Sequence, residues 1–540
     1  MFFKQIIVLN FALRNLKLKT MKNFFSSLPL FLLIALSCSK TISPTSAGVD
    51  SEQAHGMIVL GEKLSDPYSL ENMTKAYQSL YPTKADRVPI SETHLYVRFL
   101  PKSDSELELL SSKVDNLLDH PVDYQILREG DYYMDPSLPQ GSITWQYAVV
   151  DKDFDFPEGI AYELLHKCYL PSDSPASKAE GLDWESLERE AYRLSGNLDL
   201  LQETKADSDE AVPKGRITIT DSSLGGKTEG VRGVKVSCNT FVKFDSAFTD
   251  DNGYYSMKRS FTSSPRYRLV FKNRYGFALG FNLILVQASA SSLGKQSAEG
   301  YTLCVSETSE RKLFTRCVVN NAGFDYYSMC KTEKGSMKTP PQNLRLWLFQ
   351  FLDKSSAVMM HQGAIVDSGK LAKLLGEYAG IVKIFLPDIT LGLKGFEDYA
   401  SIYALACHEF AHASHYMAVG NSFWDKYAEY IVSSFVSSGF IMYGSGTDED
   451  CGYCEVGEMW AYYMQGSMYK DRYGDKLNFG TEYWFSPQIF TYLEEKGMDR
   501  YKIFDSLSSD VIDRTTLKKR MTSLYPQFKT SINQAFSKYN

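Results

Sequence analysis

Apolar and polar residues alternate in short runs over the first half of the chain, and apolar residues recur every three or four positions over much of the second. His94–Leu100 (HLYVRFL) alternates as a strand, Ser103–Asp119 has an amphipathic helical pattern, and Val122–Leu127 reads as a second strand. This order predicts a βαβ-type α+β module over residues 56–205, with a further strand inside the turn-rich segment Asp135–Val150. Residues 203–215 (ETKADSDEAVPKG) are charged and turn-rich, and read as a linker. Short strands follow at 215–220, 233–238, 254–258 and 267–273, with Thr249–Tyr255 (TDDNGYY) a turn entering the third. From about residue 295 helical spacing dominates. Pro340 and Pro341 break the chain before Asn343–Leu352, expected to be an apolar helix, and Gly380–Ile389 reads as a strand stopped by Pro387.

One helical pattern carries chemistry. Asp398–Ala418 (DYASIYALACHEFAHASHYMA) contains no Pro or Gly and sets Ile402, Leu405, Ala406, Phe410, Ala413 and Met417 at helical spacing. His408 and His412, four residues apart, share a face one turn from each other. That is the separation two imidazoles need to hold one tetrahedral Zn²⁺ at about 2.0–2.1 Å each. Glu409 lies beside such an ion without being forced to ligate it, placed to accept a proton from water. His is scarce, with 8 in 540 residues, yet three fall between His408 and His415.

A catalytic zinc site needs a third protein ligand and leaves its fourth position to water. His415 is on the same face but a further turn away, so it reads as a supporting or packing residue, with alternative ligand as its other role. A carboxylate from a second helix is the better third ligand. Glu458, in the apolar helical stretch Glu455–Met464, is preferred, with Glu455 and Glu429 as the other choices.

Composition removes some functions and leaves others. Apolar content of 44% and charged content of 23% are ordinary for a globular chain long enough for several domains. Net charge is −7 and no dense Lys/Arg block occurs in the body of the chain, so nucleic-acid binding has no electrostatic support. His94, His120 and His166 are scattered and read as ordinary surface or core histidines. Besides Cys38 there are eight cysteines, an even set that an exported chain can pair into disulfides, and Cys451–Cys454 is a CxxC without a companion.

The N-terminus reads as an address. Met21-Lys22 is a second apparent start, and the apolar run after it suits a signal peptide and is short for a membrane span. Ala35-Leu36-Ser37-Cys38 resembles the bacterial lipobox. That resemblance implies a lipidated Cys38, a tether over 38–55, and an outer-membrane lipoprotein facing the periplasm or the cell surface.

Two further resemblances complete the reading. The order GRITITD, GVKVSC, TDDNGYYSM, YRLVFKN resembles the carboxypeptidase regulatory-like domain, a small transthyretin-like β-sandwich used as a spacer or binding module. His408-Glu409-x-x-His412 is the HExxH string of the zincins, and with Glu458-x-x-Ala461 downstream it resembles the gluzincin metallopeptidases. The metzincin variant needs Gly and His where this chain has His415 and Ala418, and is excluded. The gluzincin resemblance implies one Zn²⁺ on His408, His412 and Glu458, with Glu409 as general base for peptide-bond hydrolysis. It also implies an oxyanion donor, for which Tyr443, Tyr462, Tyr463 and His415 are available, and a carboxylate, Asp398 or Asp425, orienting a ligand imidazole. Val382–Leu386 would be the edge strand that pairs with extended substrate.

The expectation is thus a multidomain α+β chain: a signal peptide (1–37), a lipid-anchored linker (38–55), an α+β module (56–205), a sandwich (214–290) and a mainly helical zincin-like domain (295–540). It would be an exported metallopeptidase acting on proteins or peptides, with the membrane as its other partner through the lipid. The alternative is a surface binding or adhesion lipoprotein on a catalytically idle zincin-like scaffold. Glu409 favours the first, since a scaffold has no need of a base beside the metal.

Overall fold

The computed structural model describes residues 56–83, 90–139, 142–173, 183–201, 211–280, 288–332, 337–350, 388–437, 443–474 and 483–539. The expected signal peptide, Cys38, the tether, most of the 203–215 linker and the strand Val382–Leu386 lie outside these residues. The described chain is mixed α+β. None of its described helices is long and apolar enough to cross a membrane.

The N-terminal module contains β1 (Val59–Lys63), α1 (Leu70–Leu80), β2 (His94–Leu100), α2 (Asp104–Lys113), β3 (Tyr124–Arg128), β4 (Gln146–Asp151), β5 (Ala161–Cys168) and α3 (Trp184–Leu194). The strand expected at 94–100 forms over those residues, but the βαβ arrangement does not. β2 is antiparallel to both its neighbours, β4 and β5, and β3 pairs with β1 instead. With both edges of β2 taken, the strand after α2 has no parallel position to occupy. The helix also stops at Lys113, short of Asp119, and Leu118 beyond it exchanges backbone hydrogen bonds with Tyr147. Alternation on β2 sorts the core: Val97 and Phe99 cluster with Leu110 of α2 and Val114 just beyond it, while Tyr96 clusters with Tyr68, Met73 and Tyr192.

Next come β6 (Lys214–Asp221), β7 (Lys227–Gly230), β8 (Val234–Thr240), β9 (Lys243–Phe248), β10 (Tyr254–Ser256), β11 (Arg266–Asn273), β12 (Ala278–Gly280), β13 (Ala290–Lys295) and β14 (Leu303–Val305). They divide into a sheet ordered β10-β6-β14, with β7 on β6, and a second built around β11. Helix α4 (Arg311–Thr332) leads on to β15 (Arg345–Phe349) and β16 (Ile389–Gly392). The helix expected over 343–352 is therefore corrected: residues 345–349 are a strand, parallel to β12 on one side and β16 on the other. A short, fully apolar run carries no period that separates a buried strand from a buried helix, and the open edge of β12 decides it.

This pairing carries the second sheet across residues 290–295, where the sequence suggested a boundary. One apolar core runs from Ile217 and Val236 to Phe410, Trp460 and Phe536. The helices of this part are α5 (Tyr399–Val419), α6 (Asn421–Ser437), α7 (Cys451–Tyr473), α8 (Gln488–Glu495), α9 (Arg500–Asp505), α10 (Arg514–Leu524) and α11 (Lys529–Lys538). Phe410 of α5 packs against Phe277, Tyr326 and Tyr327. Gly323 of α4 makes this possible, since a Cβ there would lie 2.5 Å from the Phe410 ring.

Two polar joints hold these parts together. Arg472 at the end of α7 grips Asp221 at 2.8 Å and Glu229 at 2.7 Å, and Tyr399 of α5 donates to the same Glu229 at 2.6 Å. The ends of the two site helices are thereby tied to β6 and β7. The second joint is the Lys243–Glu188 ion pair, 2.6 Å long with both side chains fully buried, which links β9 to α3.

Candidate metal centre

Asp398 starts α5 by accepting a hydrogen bond from the Ser401 amide at 2.9 Å, and Gly420, at φ 79°, follows its last turn. On this helix His408 and His412 bring their Nε2 atoms to 3.1 Å. Helix α7 lies alongside, joined by Trp460 Nε1 donating to the Ala411 carbonyl at 3.2 Å, and it delivers Glu458 to the same point. Glu458 Oε2 is 3.5 Å from His408 Nε2, and Oε1 is 3.5 Å from His412 Nε2. Ligands placed tetrahedrally about 2.05 Å from a zinc ion are about 3.3 Å apart. The three observed separations bracket that value.

The electrostatics of the cluster suit a cation. Burial drives His408 down to about 3, against a smaller opposing hydrogen bond from Gln465. His412 falls well below its usual value through burial, then through His408 and His415. Both rings are therefore neutral, the form that ligates metal, and their contacts with Glu458 are not ion pairs. Burial raises Glu458 to about 8, opposed by hydrogen bonds from Tyr427 and Tyr443. His408 Nδ1, His412 Nδ1, Glu458 Oε2 and Glu409 Oε2 are buried without a hydrogen-bond partner among the described residues. The two Nε2 atoms and the Glu458 carboxylate oxygens converge on one buried point, and a divalent ion there would take up their lone pairs. Two imidazoles and one carboxylate fit zinc, and match catalytic sites that leave a position open.

The other residues singled out in the sequence separate clearly. Glu409 is 2% exposed, and burial followed by the nearby Glu458 raises its carboxyl well above the usual range. His415 does not join the ligand cluster. It packs against Phe423 and Trp424 with ring centroids 5.0 and 5.8 Å away. Glu455 binds Arg514 at 2.8 Å, and Glu429 lies 3.7 Å from Lys426. Tyr462 sets its ring 4.5 Å from that of His408, and its hydroxyl is 3.3 Å from that of Tyr443. Tyr463 turns away onto Trp460 and Phe490. Neither Asp398 nor Asp425 orients a ligand ring, since both Nδ1 atoms lack a hydrogen-bond partner among the described residues.

Among the described residues the cysteines are thiols, Cys451 and Cys454 included, and that pair belongs to no metal-ligand cluster. A second set of ligand-type side chains, Asp66, His166 and Cys168, gathers in the N-terminal module. There Asp66 Oδ2 bonds to His166 Nε2 at 2.8 Å and Oδ1 accepts from the Tyr68 amide at 2.9 Å, so carboxylate and imidazole already satisfy each other. His94 meets Thr93 and His120 meets Asp119 in the same way.

One site residue escaped the sequence reading. Tyr427 of α6 donates its hydroxyl to Glu458 Oε1, the carboxylate oxygen nearer His412. It reaches α7 because residue 457 is glycine, where a Cβ would lie 3.2 Å from the Tyr427 ring. Only the packing of α6 on α7 reveals it. Removing a hydrogen bond that orients a metal ligand weakens metal binding about 10–100-fold. Tyr427→Phe is therefore expected to lower zinc affinity by about that factor in a chelator competition, with the fold retained. An unchanged affinity would show that Tyr427 does not position Glu458.

No protein-family profile, curated protein or solved structure matches the chain.

Proposed function

We propose that the chain is a gluzincin-type zinc metallopeptidase, exported and anchored through a lipid on Cys38, that hydrolyses peptide bonds in proteins or peptides. The observation that carries this reading is the convergence of His408 Nε2, His412 Nε2 and the Glu458 carboxylate, 3.1 to 3.5 Å apart in a buried pocket. In this reading residues 295–540 form a zincin-like domain, and residues 214–290 a transthyretin-like sandwich that braces its helix pair.

His408, His412 and Glu458 would hold the ion, and Tyr427 would fix which way the Glu458 carboxylate faces. When bound, zinc polarises the scissile carbonyl and lowers the pKa of water toward neutrality. Glu409, one residue from the first ligand and without a hydrogen-bond partner at Oε2, takes the proton from the attacking water and passes it to the leaving amine. The Tyr443 and Tyr462 hydroxyls, at the His408 side of the cluster, are the donors placed for the oxyanion. Low dielectric around these groups strengthens each of these interactions.

The test is cleavage of a mixed peptide pool by the purified protein. Activity should vanish after chelation and return with one equivalent of zinc per chain. Cleavage that persists after the metal is stripped would defeat the proposal.

A further inference from the structure

Strands β8 and β11 turn Val236, Cys238, Leu269 and Phe271 into the sandwich core, so the alternate residues emerge on the opposite face. There Arg268 stands opposite Ser237, and Lys235 opposite Val270. The N-terminal module roofs this face and leaves a cavity lined by Lys235, Arg268, Lys272, His120, Gln146 and Ser237. Module interfaces of this kind are favoured places for small-molecule sites.

Two of the cations that line the cavity are buried, and neither is paired with a carboxylate among the described residues. Arg268 is 4% exposed and Lys235 7%. Arg268 donates to Asn239 Oδ1 at 2.6 Å and meets His120 Nε2 at 3.2 Å, while Lys235 donates to the Asp115 carbonyl. All three of those partners are uncharged acceptors. No ion pair joins Lys235, Arg268 or Lys272 to a carboxylate among the described residues, although buried cations normally find one.

Four carboxylates, Asp115, Asp119, Glu129 and Asp131, also line the cavity, and the last three have partners of their own. Glu129 pairs with Arg266, and Asp131 with Arg316 at 3.1 Å. Asp119 takes the Tyr133 amide at 2.6 Å and the His120 Nδ1 proton at 2.7 Å. Asp115 is exposed, and offers Lys235 its carbonyl. Burial accordingly lowers Lys235 to about 8 and Arg268 to about 10.

We propose that this cavity is a binding site for a small oxyanion, phosphate or carboxylate, held between the Arg268 guanidinium and the Lys235 ammonium. A guanidinium presents paired donors that match two oxygens of such an anion, and the lysine adds a point charge. Because the module supplies His120 and Gln146 while the sandwich supplies the cations, the bound anion would fasten the two together. The site is separate from the metal centre and stands whether or not the metallopeptidase reading holds.

The experiment is thermal unfolding of the whole mature chain, titrated with inorganic phosphate, acetate or chloride at constant ionic strength. An oxyanion that binds only the folded state raises the midpoint and the rise grows with its concentration. A rise with phosphate or with acetate, absent with chloride, supports the proposal, and the larger of the two names the chemistry. Lys235→Met and Arg268→Gln should each abolish that rise. Lys235→Met should also leave the anion-free midpoint no lower than in the parent, since it removes a buried charge that has no counter-ion. Equal response to all three salts, no response to any, or a rise retained in Lys235→Met would overturn the proposal. Should Arg268→Gln fail to fold, Lys235→Met alone decides.

Discussion

Glu409→Gln is expected to lower peptide hydrolysis by about 10²–10⁴-fold while leaving zinc bound, the range over which a positioned general base contributes. That range corresponds to about 2.7–5.4 kcal/mol of lost transition-state stabilisation. Gln fills the same space, so the helix and the cluster beside it are undisturbed, but its amide cannot receive a proton. Glu409 is not one of the three converging ligands. Its Oε2 lacks a hydrogen-bond partner among the described residues, and no local structure accounts for a second buried carboxylate beside Glu458. A buried acid that repels its neighbour is costly to keep unless it acts. The measurement is turnover of a peptide pool at equal zinc occupancy. If parent and variant bind zinc and behave alike, the idle-scaffold reading replaces the enzyme.

The second large effect concerns the joint between the N-terminal module and the second sheet. Lys243→Met is expected to destabilise the protein by about 3–5 kcal/mol, because it leaves Glu188 charged and buried with no cation beside it. Glu188 Oε1 meets Lys243 Nζ at 2.6 Å, and Oε2 accepts from Thr262 at 2.8 Å and Tyr68 at 3.2 Å. The ammonium also lies 4.9 Å from the ring centre of Trp184 and 5.6 Å from that of Phe261. Denaturant midpoints of the parent, of Lys243→Met, and of Lys243→Met combined with Glu188→Leu measure it. The double variant should recover most of the loss, since replacing both members of a buried pair by apolar groups is often neutral. A single variant as stable as the parent would mean that the pair is not enclosed. A module joined this way is held to the second sheet by a fully buried ion pair.

What was legible in the sequence follows the range of each interaction. His408, Glu409 and His412 are set by one helical turn, so spacing alone places them. Glu458 needed a second helix, and its distance from His412 along the chain says nothing of direction. It was reachable only because zinc chemistry demands a third ligand and few carboxylates sit in apolar helices. Tyr427 offered no such demand among 35 tyrosines, and its role depends on a glycine across an interhelical contact. Asn343–Leu352 was misread because an apolar run looks the same buried in a sheet or in a helix. Nothing local in the sequence announces that Lys243 has a partner 55 residues away.

If the proposed function holds, two imidazoles of α5 and one carboxylate of α7 share a single ion. The deciding measurement is X-ray absorption at the zinc edge on the purified protein carrying one zinc. The expected spectrum shows a shell of nitrogen and oxygen scatterers alone, with two imidazole ring signatures that fall to one in His412→Ala. A sulfur scatterer, which would move the ion to a cysteine-bearing site such as Asp66–His166–Cys168, or a spectrum unchanged by His412→Ala, would contradict it.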